Sequence, residues 1–313
     1  MVVCTVKKGN QSTVDFQGLN KYAKRETHHT QSPYRQARAV PAGKIKTVFD
    51  CWNGYHSIPL HEDDYHYTTF ITQWGRFQYM VAPQGYIASG DGYSRRFDEI
   101  VSHIPNKTKC IDDTLLWADT IEESFAQAVE WLDICGNHGI VLNPKKFVFA
   151  QESVEFAGFT ITKDSVKPSP KYLSAIRDFP TPVSLTDVRS WFGLVNQVAY
   201  AFAAAEMMSP FRSFLKSKAT FQWTDELEGL FQKSKEAIVQ QIEHGVKIFE
   251  KSRPTCLATD WSKSGIGYWL LQKHCSCATV KPFCCPLGWK VTLVGNRFTH
   301  VAESRYAPLR VKH

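Results

Sequence analysis

The sequence has none of the features of a secreted or membrane-spanning protein. No apolar leader opens it, and Lys7 and Lys8 lie near its start. The longest uncharged stretch, residues 190–205, is shorter than the roughly 20 residues of a transmembrane helix and contains Asn196 and Gln197. Its nine cysteines are scattered, which is not the pattern of a disulfide framework. We therefore predict an intracellular protein of the cytoplasm or nucleus, with reduced thiols, a buried helix at 190–205 and no membrane partner.

The sequence also lacks repeats and low-complexity tracts. Its 313 residues are 43% apolar and 13% aromatic, which predicts two or three domains with well-formed cores. Lysine and arginine number 37 against 30 aspartates and glutamates, giving a net charge of +7 and a pI near 8.8. This balance suits a polyanionic partner such as a nucleic acid.

Local patterns predict alternating strands and helices in the first half of the chain. Short β-type runs around the turn at Lys8–Asn10 predict a hairpin, and further strands are predicted at 46–50, 67–72 and 77–81. Apolar residues at helical spacing predict a helix over Tyr93–Ile104.

A second helix is predicted from Thr120 to about Gly139. Thr120 with Glu123 three residues later is a capping box, and the glycine is a stop signal. The side chains that we predict to face the core are Phe125, Ala128, Val129 and Leu132.

A proline-rich segment between Lys163 and Pro182 predicts a domain boundary. Two helices should follow, one capped by Thr186 and one after Thr224. Their predicted core residues are Val188, Trp191, Phe192, Val195 and Ala199 on the first helix, and Leu227, Leu230, Phe231 and Ile238 on the second. Strands are then predicted at 255–260, 265–271 and 290–298.

Three aspartates stand at the ends of predicted strands. Asp50 ends the strand at 46–50, and Asp112 and Asp113 lie between two apolar runs, in the tight turn of a hairpin. Adjacent acids in such a turn place like charges side by side, which is unfavourable and indicates a cation-binding site. An exposed acidic turn is the simpler alternative. Nucleotidyl transfer by two Mg²⁺ ions needs carboxylates that bridge metals about 4 Å apart.

Several segments, in order, resemble the motifs of reverse transcriptases. Phe49–His56, Ala82–Tyr86 and Cys110–Trp117 resemble motifs A, B and C of that family. Val14–Asn20 is similar to its fingers motif and Leu142–Phe147 to its motif D. The resemblance extends to the primer grip (154–159) and to the thumb helix of gypsy-class retrotransposons (187–196), and so covers essentially the whole chain.

This resemblance implies a role for each matched residue. Asp50, Asp112 and Asp113 would hold two Mg²⁺ ions, with Mn²⁺ as a possible substitute. Tyr55 would be a steric gate against ribonucleotides, or else a core tyrosine. Gln84 and Gly85 would contact the incoming nucleotide, and Phe156 and Gly158 would contact the primer end. Lys146, or else Lys145, would donate a proton to pyrophosphate, although the lysine pair could equally belong to a solvated face. Arg95 and Arg96 would contact template phosphates.

Two departures from the family pattern bear on activity. The family usually has an arginine four residues before the position of Asp15, and here that residue is Gln11. Losing a bidentate phosphate contact would cost about 1.5–3 kcal/mol of nucleotide binding. The chain also begins at what resembles the middle of the fingers.

The last unit resembles the start of a ribonuclease H. Asp260 matches the first catalytic aspartate of that fold, but Arg310 and Lys312 stand where acids are expected, and Glu303 matches no catalytic position. One aspartate cannot assemble two ions, so we predict a vestigial, truncated domain without ribonuclease H activity.

Five potential zinc ligands crowd one segment of this last unit. They are His274, Cys275, Cys277, Cys284 and Cys285. Four of the five could bind zinc, but adjacent cysteines are awkward tetrahedral partners, and a plain thiol-rich loop is the alternative.

Together these observations predict an α+β fold of the right-hand polymerase type. Fingers and palm would occupy residues 1–162, a helical thumb and connection 163–247, and an incomplete ribonuclease H-like α/β unit 248–313. The predicted function is RNA-directed DNA polymerase of a retrotransposon, with an RNA or DNA template, a DNA primer and deoxynucleoside triphosphates as partners. The alternatives are a decayed fragment that binds primer-template without efficient synthesis and a non-catalytic subunit that dimerises with a longer copy.

Overall fold

The computed structural model of the protein describes residues 5–8, 11–25, 27–201, 207–262, 265–279, 284–300 and 302–303. Its contacts divide the chain into two units, one with Met1–Gln36 and Ile45–Glu152 and the other with Ala37–Lys44 and Ser153–His313. This division does not coincide with the predicted boundaries at residues 162 and 247.

The described chain up to Gln151 forms eight strands and four helices. The strands are β1 (Thr5–Lys8), β2 (Gln11–Val14), β3 (Ile45–Asp50), β4 (Phe70–Thr72), β5 (Gly75–Phe77), β6 (Lys107–Cys110), β7 (Asp113–Ala118) and β8 (Val148–Gln151). The helices are α1 (Gln17–Asn20), α2 (Pro33–Arg38), α3 (Ser89–Ile100) and α4 (Ile121–Asn137). Short 3₁₀-helices occur at Gly54–Ser57, Glu62–Thr68 and Pro144–Lys146.

Antiparallel pairing organises the first unit. β1 and β2 form the predicted hairpin, whose turn at residues 9–10 lies outside the described residues. The central sheet has the order β6–β7–β3–β8, with every neighbouring pair antiparallel. Val48 and Phe49, which have high strand propensity, fill its buried middle together with Leu115 and Leu116.

Helices α3 and α4 cover this sheet and enclose the core of the unit. Phe49, Phe97 and Trp131 meet there, with ring centroids 6.0 Å apart for Phe49–Trp131 and 5.7 Å for Phe97–Trp131. Helix α3 ends at Ile100, earlier than predicted, although Val101 and Ile104 still pack into the core from the following loop.

The predicted N-cap of α4 at Thr120 is confirmed, but the predicted inward face of the helix is largely wrong. Thr120 Oγ1 accepts the Glu123 N–H, and Glu123 accepts the Asp119 N–H. The buried positions are Ser124, Ala128, Trp131 and Cys135, whereas Phe125, Val129 and Leu132 are exposed. The helix carries two apolar stripes, and the one with Ala128, Trp131 and Cys135 faces the sheet, where Trp131 packs against Phe49 and Ser124 Oγ lies 2.8 Å from Thr47 Oγ1.

The predicted strands at 67–72 and 77–81 are only partly correct. A 3₁₀ turn runs to Thr68 before β4, and β5 ends at Phe77. Thr68 Oγ1 accepts the Tyr79 N–H at 2.9 Å and donates to the Tyr65 carbonyl at 2.7 Å. These side-chain bonds replace the ladder that the β-type residues favour.

The second unit has seven strands and three helices in its described part. The strands are β9 (Val154–Phe156), β10 (Phe159–Ile161), β11 (Ser165–Pro168), β12 (Val246–Lys247), β13 (Thr255–Trp261), β14 (Gly265–Lys273) and β15 (Trp289–Phe298). The helices are α5 (Pro170–Arg177), α6 (Leu185–Val198) and α7 (Asp225–Ile242). Strands β9 to β12 form one antiparallel sheet, and β13, β14 and β15 form the other, close to the three predicted late strands.

An aromatic cluster joins the helices of this unit. Its rings are Phe179, Trp191, Phe211, Trp223 and Phe231, with Trp191 and Phe231 centroids 5.1 Å apart. Most predicted core positions are buried, but Leu230 is exposed. α6 is capped by Ser184 instead of Thr186, and it ends at Val198, so only part of the helix predicted at 190–205 forms and residues 202–206 lie outside the described residues.

Helix α5 was not predicted. It starts inside the proline-rich segment because Ser169 caps it and Pro170 occupies its first turn, where proline is tolerated. Within the described residues, no helix has both the length and the apolar character needed to cross a bilayer.

Candidate functional site

The three predicted aspartates lie together at one end of the central sheet. Asp50 is the last residue of β3 and is the Cα partner of Asp113, the first residue of β7. Asp112 immediately precedes β7, and its carbonyl accepts the Cys51 N–H at 2.9 Å. Sheet register therefore brings together carboxylates that are far apart in the sequence.

The turn between β6 and β7 differs from the prediction. Cys110 pairs with Asp113, so the two turn residues are Ile111 and Asp112, and Asp113 already belongs to the strand. Ile111 has a φ of 54°, in the left-handed region that costs a β-branched residue about 1–2 kcal/mol. The strain lies directly beside the carboxylates, as is common at functional sites.

Residues after α4 hold the Asp50 carboxylate. Lys146 Nζ lies 2.7 Å from its Oδ2, and Asn143 Nδ2 lies 3.4 Å from its Oδ1. The Asn143 N–H also donates to the Asp50 carbonyl at 2.8 Å. Since Asp50 is only 7% exposed, its carboxylate is fixed in place.

Burial and mutual repulsion make this site a poor place for three negative charges. Burial, a shared hydrogen bond with Asp50 and the Asp50 charge raise the pKa of Asp113 to about 6. Burial and the Asp50 charge also raise the pKa of Asp112. Asp112 Oδ1 is buried and has no hydrogen-bond partner among the described residues. An all-oxygen donor set with surplus charge and an unpaired oxygen fits hard divalent cations such as Mg²⁺.

Tyr55 stands beside the carboxylates, packed on Tyr93. Their rings are edge to face with centroids 5.6 Å apart. Burial, and to a smaller extent the charge of Asp112, raise the pKa of Tyr55. A Cβ at Gly54 would lie 2.5 Å from Tyr93 Cζ, so glycine is needed there to admit the ring.

Gln84 and Gly85 lie in a loop that Asn20 holds from two sides. Asn20 Nδ2 donates to the Gly85 carbonyl at 2.9 Å, and its Oδ1 accepts the Ile87 N–H at 2.9 Å. Gly85 has a φ of 90° and is exposed, while Gln84 is half-buried. Asn20 closes the predicted fingers motif, but nothing in the sequence indicated this contact.

The predicted basic residues differ in exposure. Arg96 is half-buried and donates to the Ser57 carbonyl at 2.5 Å, and Arg95 is exposed. Lys146, as described, contacts Asp50, and Lys145 is exposed.

A buried lysine near the site was missed. Lys109 is 9% exposed, its Nζ lies 3.2 Å from Asp98 Oδ1 and 5.0 Å from the Phe97 ring centroid, and its charge acts to lower the pKa of Asp112. His28 Nε2 lies 2.7 Å from the other Asp98 oxygen. Both neighbours of Lys109 are polar or thiol residues, so no pattern in β6 distinguished it.

The remaining predicted residues belong to the second unit. Phe156 is 2% exposed, so its ring packs in the core and is not available to a ligand. Ala157 and Gly158, with φ of 50° and 87°, form the tight turn between β9 and β10, and Gly158 is exposed. Asp260 is exposed in β13, and its carboxylate accepts the Trp261 N–H at 2.9 Å.

Glu303 is engaged in a bidentate ion pair. Its two oxygens lie 2.6 and 2.7 Å from the Arg297 guanidinium, which lowers the pKa of Glu303 to about 2. Arg310 and Lys312, to which part of the ribonuclease H prediction referred, lie outside the described residues.

The structure brings together four of the five potential zinc ligands. The sulfurs of Cys275, Cys277, Cys284 and Cys285 all lie within 4.8 Å of one another, and His274 is not part of this group. The main cause that lowers the pKa of Cys275 to about 7 is a hydrogen bond from the Cys277 backbone.

Comparison with protein families matches residues 5–161, half of the chain, to the model described as reverse transcriptase (RNA-dependent DNA polymerase). Among curated proteins, the chain is 28% identical over 222 residues to the "Putative enzymatic polyprotein" of Cassava vein mosaic virus, covering 70% of this chain and 34% of that protein. It is 24% identical over 265 residues to the Transposon Tf2-3 polyprotein of Schizosaccharomyces pombe, covering 83% of this chain and 20% of that protein. The chain thus spans about a third and a fifth of these two relatives.

Among solved structures, the fold resembles that of a foamy viral protease-reverse transcriptase. The complex of its dRH form with double-stranded DNA gives a TM-score of 0.81 at 18% identity, covering 97% of this chain and 52% of that one. Another complex with double-stranded DNA gives 0.78 at 18% identity, covering 98% and 62%. The predicted polymerase fold is confirmed by this likeness.

Proposed function

Because the chain belongs to the reverse transcriptase (RNA-dependent DNA polymerase) family, we propose that it is an RNA-directed DNA polymerase that extends a DNA primer with deoxynucleoside triphosphates. The observation that carries this proposal is the pairing of Asp50 with Asp113 across β3 and β7, with Asp112 at the adjoining turn. Three buried or half-buried acids in one place are costly unless a cation is bound.

Asp50, Asp112 and Asp113 would hold two divalent cations, Mg²⁺ or in its place Mn²⁺. Such ions would supply Lewis acid activation of the primer 3′-hydroxyl and charge stabilisation at the leaving pyrophosphate. The rigid sheet fixes Asp50 and Asp113 through backbone pairing, and the Cys51 N–H fixes the backbone of Asp112. The protein would thus position the two cations and supply the negative charge that binds them.

Tyr55 would exclude ribonucleotides by occupying the space under the sugar C2′. The support is its packing against Tyr93 and the effect of the Asp112 charge, which raises the pKa of Tyr55 together with burial. Gln84 and Gly85 would contact the incoming nucleotide, with their loop braced by Asn20. Hydrogen bonds at both sides of the loop would keep the exposed Gly85 backbone in one conformation.

Lys146 would neutralise Asp50 before metal and nucleotide arrive, and would then turn to donate a proton to pyrophosphate. Its 63% exposed side chain leaves it room to move. Gly158 would contact the primer through its exposed backbone, and Phe156 would only support that turn from the core. Arg95 and the net charge of +7 favour phosphate contacts.

The chain would have no ribonuclease H activity. Asp260 is its one matched acid, and Glu303 is already paired with Arg297. We further propose a gypsy-class retrotransposon origin, supported by the similarity to the Tf2-3 polyprotein, with fingers and palm in residues 1–162 and thumb and connection in 163–247.

Primer extension on an RNA template tests the polymerase, first with Mg²⁺ and then with Mn²⁺. We expect DNA synthesis by the parent chain and at least about a hundredfold loss in Asp112→Asn and Asp113→Asn. Asp133→Asn, on an exposed position of α4, is the matched control and should keep full activity. A folded parent that binds primer-template but synthesises no DNA would support the alternative of a decayed, binding-only product.

The gate is tested separately by Tyr55→Val. Ribonucleotide incorporation relative to deoxynucleotide incorporation should rise at least about tenfold, because a smaller side chain leaves room for a 2′-hydroxyl. An unchanged ratio in an active variant would assign Tyr55 to the core alone.

A further inference from the structure

The connection between β14 and β15 gathers four thiols at one point. Cys275 and Cys277 follow the end of β14, and Cys284 and Cys285 precede the start of β15. Their four sulfurs lie within 4.8 Å of one another. We propose that this loop is a structural zinc site with four cysteine ligands, in addition to the carboxylate site of the first unit.

The spacing of the sulfurs fits one tetrahedral ion. A Zn–S bond of about 2.3 Å places tetrahedral sulfur ligands about 3.8 Å from each other. The sulfurs of Cys275 and Cys284 are 3.3 Å apart, and both residues are free thiols. Small movements of the side chains would bring all four to ligand distance. Mutual closeness of four sulfurs suits a single centre better than two separate disulfides.

The backbone around the thiols is shaped for this arrangement. The Gly288 N–H donates to the Cys285 carbonyl at 3.0 Å, and the Gly288 carbonyl accepts the His274 N–H at 2.9 Å. A Cβ at Gly288 would lie 2.6 Å from the Cys285 carbonyl oxygen and 3.4 Å from Cys284 Sγ. This turn brings Cys284 and Cys285 back to the end of β14. Both sulfurs therefore lie close to those of Cys275 and Cys277, although the two residues are adjacent in the sequence.

Cations next to the loop would offset its charge. Four thiolates around Zn²⁺ leave a net charge of −2. Lys273 Nζ donates to the carbonyls of Cys277 and Thr279, the latter at 2.8 Å, and Lys290 Nζ donates to the Pro286 carbonyl at 3.0 Å. Nearby ammonium groups favour the thiolate form, which is the form that binds metals.

The ligand chemistry separates this site from the carboxylate site. Thiolates are soft ligands that select zinc, whereas the oxygens of Asp50, Asp112 and Asp113 suit Mg²⁺ or Mn²⁺. Four protein ligands leave no open position for a substrate, so the ion would be structural and would close the end of the β14–β15 hairpin.

Metal analysis of the full chain tests the proposal. The chain is purified under reducing conditions from cells grown with zinc and measured by inductively coupled plasma mass spectrometry. We expect about one zinc per chain in the parent and in Cys256→Ser, a half-buried cysteine of β13 outside the cluster. Cys277→Ser and Cys284→Ser should fall to less than about a tenth of that content.

Cobalt substitution reports the ligands directly, and does so in the parent chain without any mutation. Co²⁺ added to metal-free protein should give the sulfur-to-cobalt charge-transfer band and the visible bands of a tetrahedral thiolate site, and zinc should abolish them. A strong chelator should lower the melting temperature of the parent and of Cys256→Ser but not that of Cys277→Ser. No zinc in a folded parent and no such cobalt spectrum, or a mass showing Cys275–Cys284 disulfide formation in its place, would overturn the proposal.

Discussion

The Lys146 ammonium lies 2.7 Å from Oδ2 of Asp50, so a cation of the protein itself neutralises the acid that ends β3. The same carboxylate shares a hydrogen bond with Asp113. A divalent ion arriving at these oxygens must therefore compete with Lys146. The lysine that we propose as proton donor also sets how tightly metal binds before the nucleotide.

Removing this ammonium should tighten divalent metal binding in the absence of nucleotide. For Lys146→Ala we expect about a two- to fivefold lower Kd for Mn²⁺ by calorimetric titration, equivalent to the roughly 0.5–1 kcal/mol of an exposed ion pair. Lys145→Ala is the matched control and should leave the Kd unchanged. Equal or weaker binding by Lys146→Ala would show that the lysine does not compete with the metal.

The raised pKa of Asp113 predicts a pH-dependent stability of the metal-free protein. Its pKa rises from an ordinary 3.8 to about 6 through burial and Asp50, with Lys146 acting in the opposite direction and Asp112 adding to it. Ionising it in the folded chain therefore costs free energy that is absent below about pH 4, grows up to about pH 6 and is fully present above.

Asp113→Asn removes that cost. In the presence of a chelator, the variant should be more stable than the parent by about 1–2 kcal/mol at neutral pH, after discounting for partial exposure, and equally stable near pH 4. Urea unfolding at several pH values measures this, with Asp133→Asn as the control for loss of a surface charge. A difference that does not change with pH would contradict the assignment.

Gly54 and Tyr93 should show strong energetic coupling. Gly54→Ala places a Cβ 2.5 Å from Tyr93 Cζ and should cost about 1–3 kcal/mol, because the close-packed ring has no room to retreat. In Gly54→Ala with Tyr93→Leu, most of that cost should disappear, which a double-mutant cycle measures. Gly92→Ala meets no atom within 4 Å and, as a helical position, should be neutral or stabilising.

Asn20 should control nucleotide binding through the loop it braces. Asn20→Ala leaves the Gly85 carbonyl and the Ile87 N–H without these partners, at about 1–2 kcal/mol. In steady-state primer extension we expect KM for deoxynucleotides to rise more than kcat falls. Asn137→Ala, at the exposed end of α4, should change neither. An effect confined to kcat would place Asn20 outside nucleotide binding.

Much of the palm could be predicted because local signals agree there. The β-type run before Asp50, the apolar runs on both sides of Asp112 and the capping box at Thr120 each act within a few residues. Together with motif order, they predicted that three aspartates would meet. The register that pairs Asp50 with Asp113 depends on contacts across the sheet and was not visible in the sequence.

Predictions failed where tertiary contacts decide between equal local options. Helix α4 has two apolar stripes, and contacts with residues distant in sequence, such as Phe49–Trp131 and Thr47–Ser124, accompany the burial of one of them. Phe156 has the apolar character expected of either a ligand contact or a core residue, and packing assigns it to the core. Asn20 acts through Gly85, which is 65 residues away, and Lys109 through Asp98, which is 11 residues away. No local sequence pattern encodes either contact.

The segment 37–44 lies between two stretches of the first unit but belongs to the second, where the Gly43 N–H donates to the Lys163 carbonyl at 2.7 Å. The two units are therefore interleaved along the sequence. During synthesis on the ribosome, this segment must wait for more than a hundred further residues before its partner emerges. A protease cut near residue 152 would leave the first unit whole but would separate segment 37–44 from the rest of the second unit.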